Sequence, residues 1–555
     1  MFEAGNGIHY YIHEVAKLDD GRFVIPFRWL KVDNVMHADA YTVEVNDQNR
    51  AHIKKNTIRV SASLLSSNFL DLESRNQVPA WSDTTIADGY PARMPNPLRM
   101  VANGDPFYTI LVDYFSDDVS GNRSKAWNKH WNAYMTNRSL PRELLQHEFY
   151  IHFISTSQHA SVPEQFKEFQ KQIKKTETDP IRAPDNTSST GSSCYRIIVN
   201  TDPSDNPMQA EICSCMGAAA NHPCRKCKVG GSQVDKATNE GYHAMFLSVE
   251  PRSKSGIFDV VQQQIKLACE GNETALKKSY TATGIKDKYT EHWINDILSQ
   301  FKKAVDNGKS KAQATNELKQ WTKDHADVIY SPFLTTDSFD PARDTPIELL
   351  HTVLLGVLKY LWHTTHTSWT PDQKKLFELR LQTTNTSSLS IEGIRAGYIV
   401  QYANSLIGRQ FKVLLQSAVF HIFDLVDKTH FRAWKAIGDM AALLWVPEID
   451  NMETYCADLH IVIGNFLDSF AEIDPSKMIA KVKTHLLTHA PSDVRLFGPL
   501  LGAITEAFES FNAVFRGASI LSNHRAPSRD IAIQLSALEG VKHRAAGGSV
   551  AVERT

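Results

Sequence analysis

Apolar and polar positions change rhythm twice along the chain. In residues 1–75 the rhythm is that of strands. Tyr41, Val43 and Val45 alternate with Thr42 and Glu44, the period of two expected of a half-buried strand. Asp20-Gly21 stands between two apolar runs and predicts a tight turn. A small β-rich module, a sheet or a barrel, is therefore expected over 1–75, followed by a Pro- and Asn-containing linker over 76–105. A buried strand, FYTILVDYF at 107–115, opens the next region and leads into Asp117-Asp118 and a Ser-Gly turn. A charged helical stretch containing FKEFQKQIKK follows, then the polar segment DNTSSTGSS at 185–193, which reads as a surface loop. CYRIIV at 194–199 reads as a second strand and runs into TDPSDNP and a cysteine cluster.

From about residue 241 to 498 the rhythm becomes helical. Val353, Leu354, Val357, Leu358 and Leu361 mark one apolar face, and 407–426, 431–446 and 454–471 behave alike. Further helices are expected near 499–515 and 528–543, before a tail at 546–555. No fixed-period repeat is present. Strands, a long helical block and then late helices describe a mixed α+β (α/β) domain, begun over 106–240, interrupted by an all-α insertion and completed over 499–545.

Composition narrows the chemistry. The chain has 555 residues, 42% apolar and 22% charged, as in globular proteins. Its net charge is −2, so nucleic-acid binding must come from local basic clusters rather than bulk charge. No run of about 18 apolar residues predicts a membrane span, and the opening MFEAGNGIHYYIHEV is not a secretory signal. Four of the seven cysteines, Cys213, Cys215, Cys224 and Cys227, form a C-x-C-x8-C-x2-C cluster beside His222. Four soft ligands in a short loop suit tetrahedral zinc. A set of buried free thiols is the plainer alternative, and a redox pair lacks a thioredoxin-like setting.

Seven segments then point to a family. They are DDVSGNRSKAWNKHW (117–131), DNPMQAE (205–211), NHPCRKCKVGG (221–231), IELLHTVLLGVLKYLW (347–362), YIVQYANSLIGRQFK (398–412), TEAFESFNAVFR (505–516) and SNHRAPSRD (522–530). In this order they resemble the fungal Plavaka-type transposases, relatives of the CACTA group of DNA transposons. The resemblance implies a DDE/D transposase: a ribonuclease H-like catalytic core interrupted by a large helical insertion. It also implies three carboxylates holding two Mg²⁺ or Mn²⁺ ions, DNA as partner, a nuclear location, and a homo-oligomer as an open alternative. The first acid would be Asp118 or Asp117, with Asp113 as rival. The second would be Asp205, with Asp202 as rival and an Asx-turn as its plain role. The third would be Glu509 or Glu506, three residues apart on one helix, with Glu509 preferred. The zinc of the cysteine cluster would be structural.

Glu348-x-x-His351 is similar to a motif of related transposases with Asp or Cys in the first place, but Thr345-Pro346-Ile347-Glu348 also reads as a capping box. DNA contacts are expected from Arg123, Lys125 and Lys129 with His130 and two tryptophans, from Arg409 and Lys412, and from Arg516, His524, Arg525 and Arg529. Relatives usually carry an amino-terminal zinc finger and continue beyond the last motif, so a truncated copy or an incomplete gene model is expected. Two other readings stay open: a decayed or domesticated copy that binds without cutting, and an unrelated zinc-stabilised helical scaffold.

Overall fold

The computed structural model describes residues 1–48, 50–120, 129–247, 249–389, 391 and 393–548. It is a mixed α+β chain with two larger sheets and many helices. The chain divides into two compact units, Met1–Leu111 with Gln170–Ile198, and Val112–Phe169 with Val199–Thr555.

The first unit is built on a six-stranded sheet. Its order is Leu65–Ser67, Ala16–Leu18, Phe23–Val32, Val35–Val45, Arg50–Ser61, Ala80–Trp81. All neighbours are antiparallel except the last pair. Asp20-Gly21 makes the expected turn, with Gly21 at φ +90°, a conformation that glycine adopts without strain. The segment 76–105, read from sequence as a linker, is structured instead. It carries the edge strand Ala80–Trp81 and the helices Asp83–Ala87 and Leu98–Ala102. Val78, Trp81, Tyr90 and Met94 pack against a core of Val15, Ile25, Val43, Phe69 and Leu72. Prolines and asparagines at 76–105 shape short turns here; they do not free the chain.

The second unit holds the elements that matter for chemistry. Strand β1 (Phe107–Ser120), which begins in the first unit, pairs antiparallel with β2 (Lys129–Asn137), and β2 with β3 (His152–Ser157). After helix α1 (Val162–Thr178), strand β4 (Ser192–Thr201) lies beside β1. Thr201 donates to Asp113, and the Ser116 N–H donates to Ser204. Partners on the two segments rise together, so they run parallel. Helix α2 (Asn206–Ile212) follows at once. Tyr114 meets Phe166 of α1 edge-on, ring centroids 5.1 Å apart. On the opposite face Phe115 stacks on Phe508 at 4.6 Å. Phe508 belongs to helix α4 (Glu506–Ile520), which is followed by α5 (Pro527–Ala545).

The described residues of 241–498 are largely helical, and two of their core clusters stand out. One joins Lys254–Cys269, Glu273–Thr283, Lys288–Asp306 and Lys311–Asp324 around Ile265, Ile294 and Ile297. The other is a large core in which Val353, Leu354, Val357, Leu358 and Leu361 are all fully buried. That face is as the apolar pattern predicts, yet Leu350–Leu358 is π-helical, with Gly356 outside helical geometry. A Cβ at Gly356 would stand 2.9 Å from the His351 carbonyl oxygen, so the wide turn depends on glycine. The helix α3 (Val482–Leu486) closes this block before α4.

Candidate active site and candidate metal centre

Strand β1 does not stop at residue 115 as its apolar run suggests. It continues to Ser120, paired with β2 through Asn132↔Asp117 and Trp131↔Asp118. Pleating therefore sends the two aspartates to opposite faces. Asp117 shares the face of Phe115, toward α4, and accepts a hydrogen bond from the Asn512 amide at 3.0 Å. Asp118 is exposed and paired with Lys129. Of the two adjacent acids left open by the sequence, Asp117 is the one on the face toward α4, and Asp118 lies on the other.

Asp205 follows the carboxyl end of β4, as Asp117 lies near that of β1. It caps α2, accepting from the Met208 N–H at 2.8 Å, so the plain reading of this residue is also true of it. Glu509 sits on α4, on a stripe with Asn512 and Arg516 next to the buried Phe508, Phe511 and Phe515. Burial pushes the Asp117 carboxyl up to about 7, with the charges of Glu509 and Asp205 adding. Burial also raises Glu509, opposed by His351 and reinforced by Glu348 and Asp205. Asp117 thus lies within range of the charges of two acids far from it in sequence. Glu506 is set aside by an ion pair with Lys412. The rivals have structural roles. Asp113 is buried and accepts from Thr201 and Asn200 at 2.7 and 3.0 Å. Asp202, wholly buried and pushed by burial up to about 7, accepts from Ser204.

Glu348 does not form the expected capping box; Thr345 instead donates to the Pro341 carbonyl. Glu348 is fully buried and accepts from the N–H groups of Leu350, His351 and Thr505 at 2.7, 2.6 and 3.1 Å. It also holds Nδ1 of His351 at 3.0 Å. The other imidazole nitrogen, Nε2, stands 3.6 Å from Glu509. Burial disfavours the imidazolium, but the bond and charge of Glu348, with Glu509 and Asp205 beyond, raise the His351 pKa above its usual value.

A cleft of about 1200 Å³ opens beside these groups. His351, Glu506, Glu509, Arg395, Arg409, Lys412 and Arg516 line it. Of the expected DNA contacts, Arg409, Lys412 and Arg516 thus line one cleft. Arg525 precedes α5 and Arg529 lies in its first turn, both outside that lining, with Arg529 3.9 Å from Asp530. Lys129 serves Asp118. Arg123 and Lys125 lie outside the described residues. His130 is a core side chain, held by Thr156 and lowered by burial to about 4.

The cysteine cluster separates into two pairs. Cys224 and Cys227 meet His485 and His489, with all four ligating atoms within 4.8 Å of one another. Cys227 Sγ is 3.2 Å from His485 Nε2, and Cys224 Sγ 3.4 Å from His489 Nε2. His485 Nδ1 bonds the Met245 carbonyl, which keeps the proton there and leaves Nε2 free to ligate. Cys213 and Cys215, expected as ligands, are not part of this set. Cys213 bonds the Pro341 carbonyl at 2.9 Å, and burial pushes its thiol up to about 11. Cys215 bonds the Cys213 carbonyl, and its thiol is likewise raised by burial. The sequence reading missed His485 and His489, although H-L-L-T-H at 485–489 has the i, i+4 spacing that puts two imidazoles on one helical face.

A family model described as "Domain of unknown function (DUF8591)" matches residues 1–108, nearly the whole amino-terminal segment of the first unit. No curated protein matches the chain.

Proposed function

We propose that the second unit is the catalytic core of a DDE/D-type DNA transposase, a ribonuclease H-like fold with a helical insertion, which cuts and joins DNA strands by two-metal phosphoryl transfer. One observation carries this reading: the Asn512 amide of α4 donates to Asp117 of β1 at 3.0 Å, which sets Glu509, one turn earlier on α4, over the same face, while Asp205 follows the carboxyl end of the strand beside β1. The three acids come from the first strand, the end of its parallel neighbour and a late helix, as such a fold requires. Their donor set is hard and anionic, and Asp117 is raised by burial and by the neighbouring charges of Glu509 and Asp205, so the residues fit Mg²⁺ or Mn²⁺. When bound, such ions activate a water or 3′-hydroxyl and stabilise the leaving oxygen.

The chain's own residues do the rest. Asn512 fixes the Asp117 carboxylate. Glu348 fixes His351, which faces Glu509. Arg409, Lys412 and Arg516 give the cleft lining phosphate-binding cations. The Cys224, Cys227, His485 and His489 set fits a tetrahedral structural Zn²⁺, which would tie the loop after α2 to the end of the helical block. Cleavage of labelled DNA with Mg²⁺ or Mn²⁺ tests the proposal. It is expected from the purified chain and not from Asp205→Ala. Cleavage that survives this change contradicts the assignment of the second acid. No cleavage by the unaltered chain favours a copy that binds without cutting.

A further inference from the structure

We propose that Tyr398 is a stacking platform for an unpaired nucleobase of a DNA strand held in the cleft; this rests on the DNA-cutting reading above. Tyr398 lines the same cleft as His351 and Glu509 and is 44% exposed. The short helix that carries it, Ala396–Gln401, is fixed from below. Ala396 and Ile399 are buried in the large helical core. Gln382 accepts from the Ala396 N–H at 3.2 Å and donates to the Ile394 carbonyl at 3.0 Å. The Tyr402 ring supports Tyr398 from the side, centroids 4.7 Å apart and planes inclined by 40°.

A half-exposed ring on a rigid mount contributes little to the core, and contact with phosphate alone requires no aromatic group. Here the ring shares its cleft with Arg395, Arg409, Lys412 and Arg516. Cations that follow a backbone, together with an aromatic face, form the usual site for unstacked bases. Bases inside a duplex are already stacked on both faces, so the ligand must be a single-stranded overhang or an extruded nucleotide. The exposed Phe149, Phe420 and Phe423 lie outside the cleft lining, and Arg380 already covers Phe423.

The test uses the full chain in Ca²⁺, to hold cleavage back, and two DNA probes. One is a blunt duplex; the other has the same duplex and a single-stranded overhang containing 2-aminopurine. The unaltered chain is expected to prefer the overhang by about tenfold and to quench its fluorescence. Tyr398→Ala is expected to lose both effects while binding the blunt duplex as before, and Tyr398→Phe to keep them. No preference in the unaltered chain, or a preference unchanged in Tyr398→Ala, overturns the proposal and leaves the DNA-binding reading intact. Failure to bind either probe overturns that reading, and this proposal with it.

Discussion

Glu14 and Asp39 of the first unit are held differently from Asp117 of the second. In the first, Glu14 is 2% exposed and receives both nitrogens of the Arg99 fork at 2.7 Å each. Asp39 bridges Arg28 and Arg59, and their bonds outweigh burial and hold its carboxyl below the usual range. In the second, Asp117 has an amide for a partner and two further carboxylates for neighbours, and it is raised to about 7. The Cys224, Cys227, His485 and His489 set is a parallel case with soft donors facing inward. A compensated acid holds a fold together. Uncompensated donors that converge are costly to keep unless a cation joins them, and that contrast leads us to read the second unit, rather than the first, as the site of chemistry.

The largest effect is expected at the soft site. Metal analysis should find about one equivalent of zinc per chain, retained in Cys213→Ser and lost in Cys224→Ser. Folding energy is coupled to such a site, so the Cys224→Ser chain should also melt well below the others. Equal zinc in both variants would remove this half of the contrast. Next comes the pair of acids themselves. Glu14→Ala leaves the Arg99 charge buried and should cost about 3–5 kcal/mol in denaturant unfolding. Asp117→Asn in metal-free buffer should cost nothing or stabilise slightly, because it removes one of three like charges. A comparable loss from both would break the comparison.

The smallest effect is a pH slope. The folded-state pKa of Asp117, about 7, lies above its ordinary 3.8, so the native state keeps a proton that the unfolded chain releases. Metal-free stability from this group is fully present below about pH 4 and falls as pH rises from about 4 to about 7. The slope is at most about 1.4 kcal/mol per pH unit for one group. Asp202 acts in the same direction. Asp117→Asn should flatten its share of the slope in urea titrations at pH 5, 6 and 7, and an unchanged slope would assign the effect elsewhere.

Much of this arrangement was legible in sequence, and the failures have physical causes. Period-two and helical rhythms marked the first strands and the buried face at 353–361, because burial imposes those spacings directly. They could not show that Leu350–Leu358 widens to a π-helix, since Val353, Val357 and Leu361 suit either turn. The strand was cut short at 115 because Ser116, Asp117 and Asp118 are polar; pairing with Lys129–Asn137 carries it on to Ser120, and the pleat then separates two aspartates that sequence alone leaves equivalent. Cys213 and Cys215 attracted attention by proximity, whereas His485 and His489 reach Cys224 and Cys227 across more than 250 positions. Glu348 looked like a local cap; its contact with the Thr505 N–H is a tertiary fact.

The central claim is that Asp117, Asp205 and Glu509, and not their neighbours, form one metal-dependent site. Nicking of labelled DNA in Mn²⁺ by Asp117→Asn and Glu509→Gln, set beside Asp118→Asn and Glu506→Gln, tests it most directly. The first two should lose at least about a thousandfold in rate, while the second two keep activity within about tenfold. Loss of activity in Asp118→Asn with activity kept in Asp117→Asn would contradict the account.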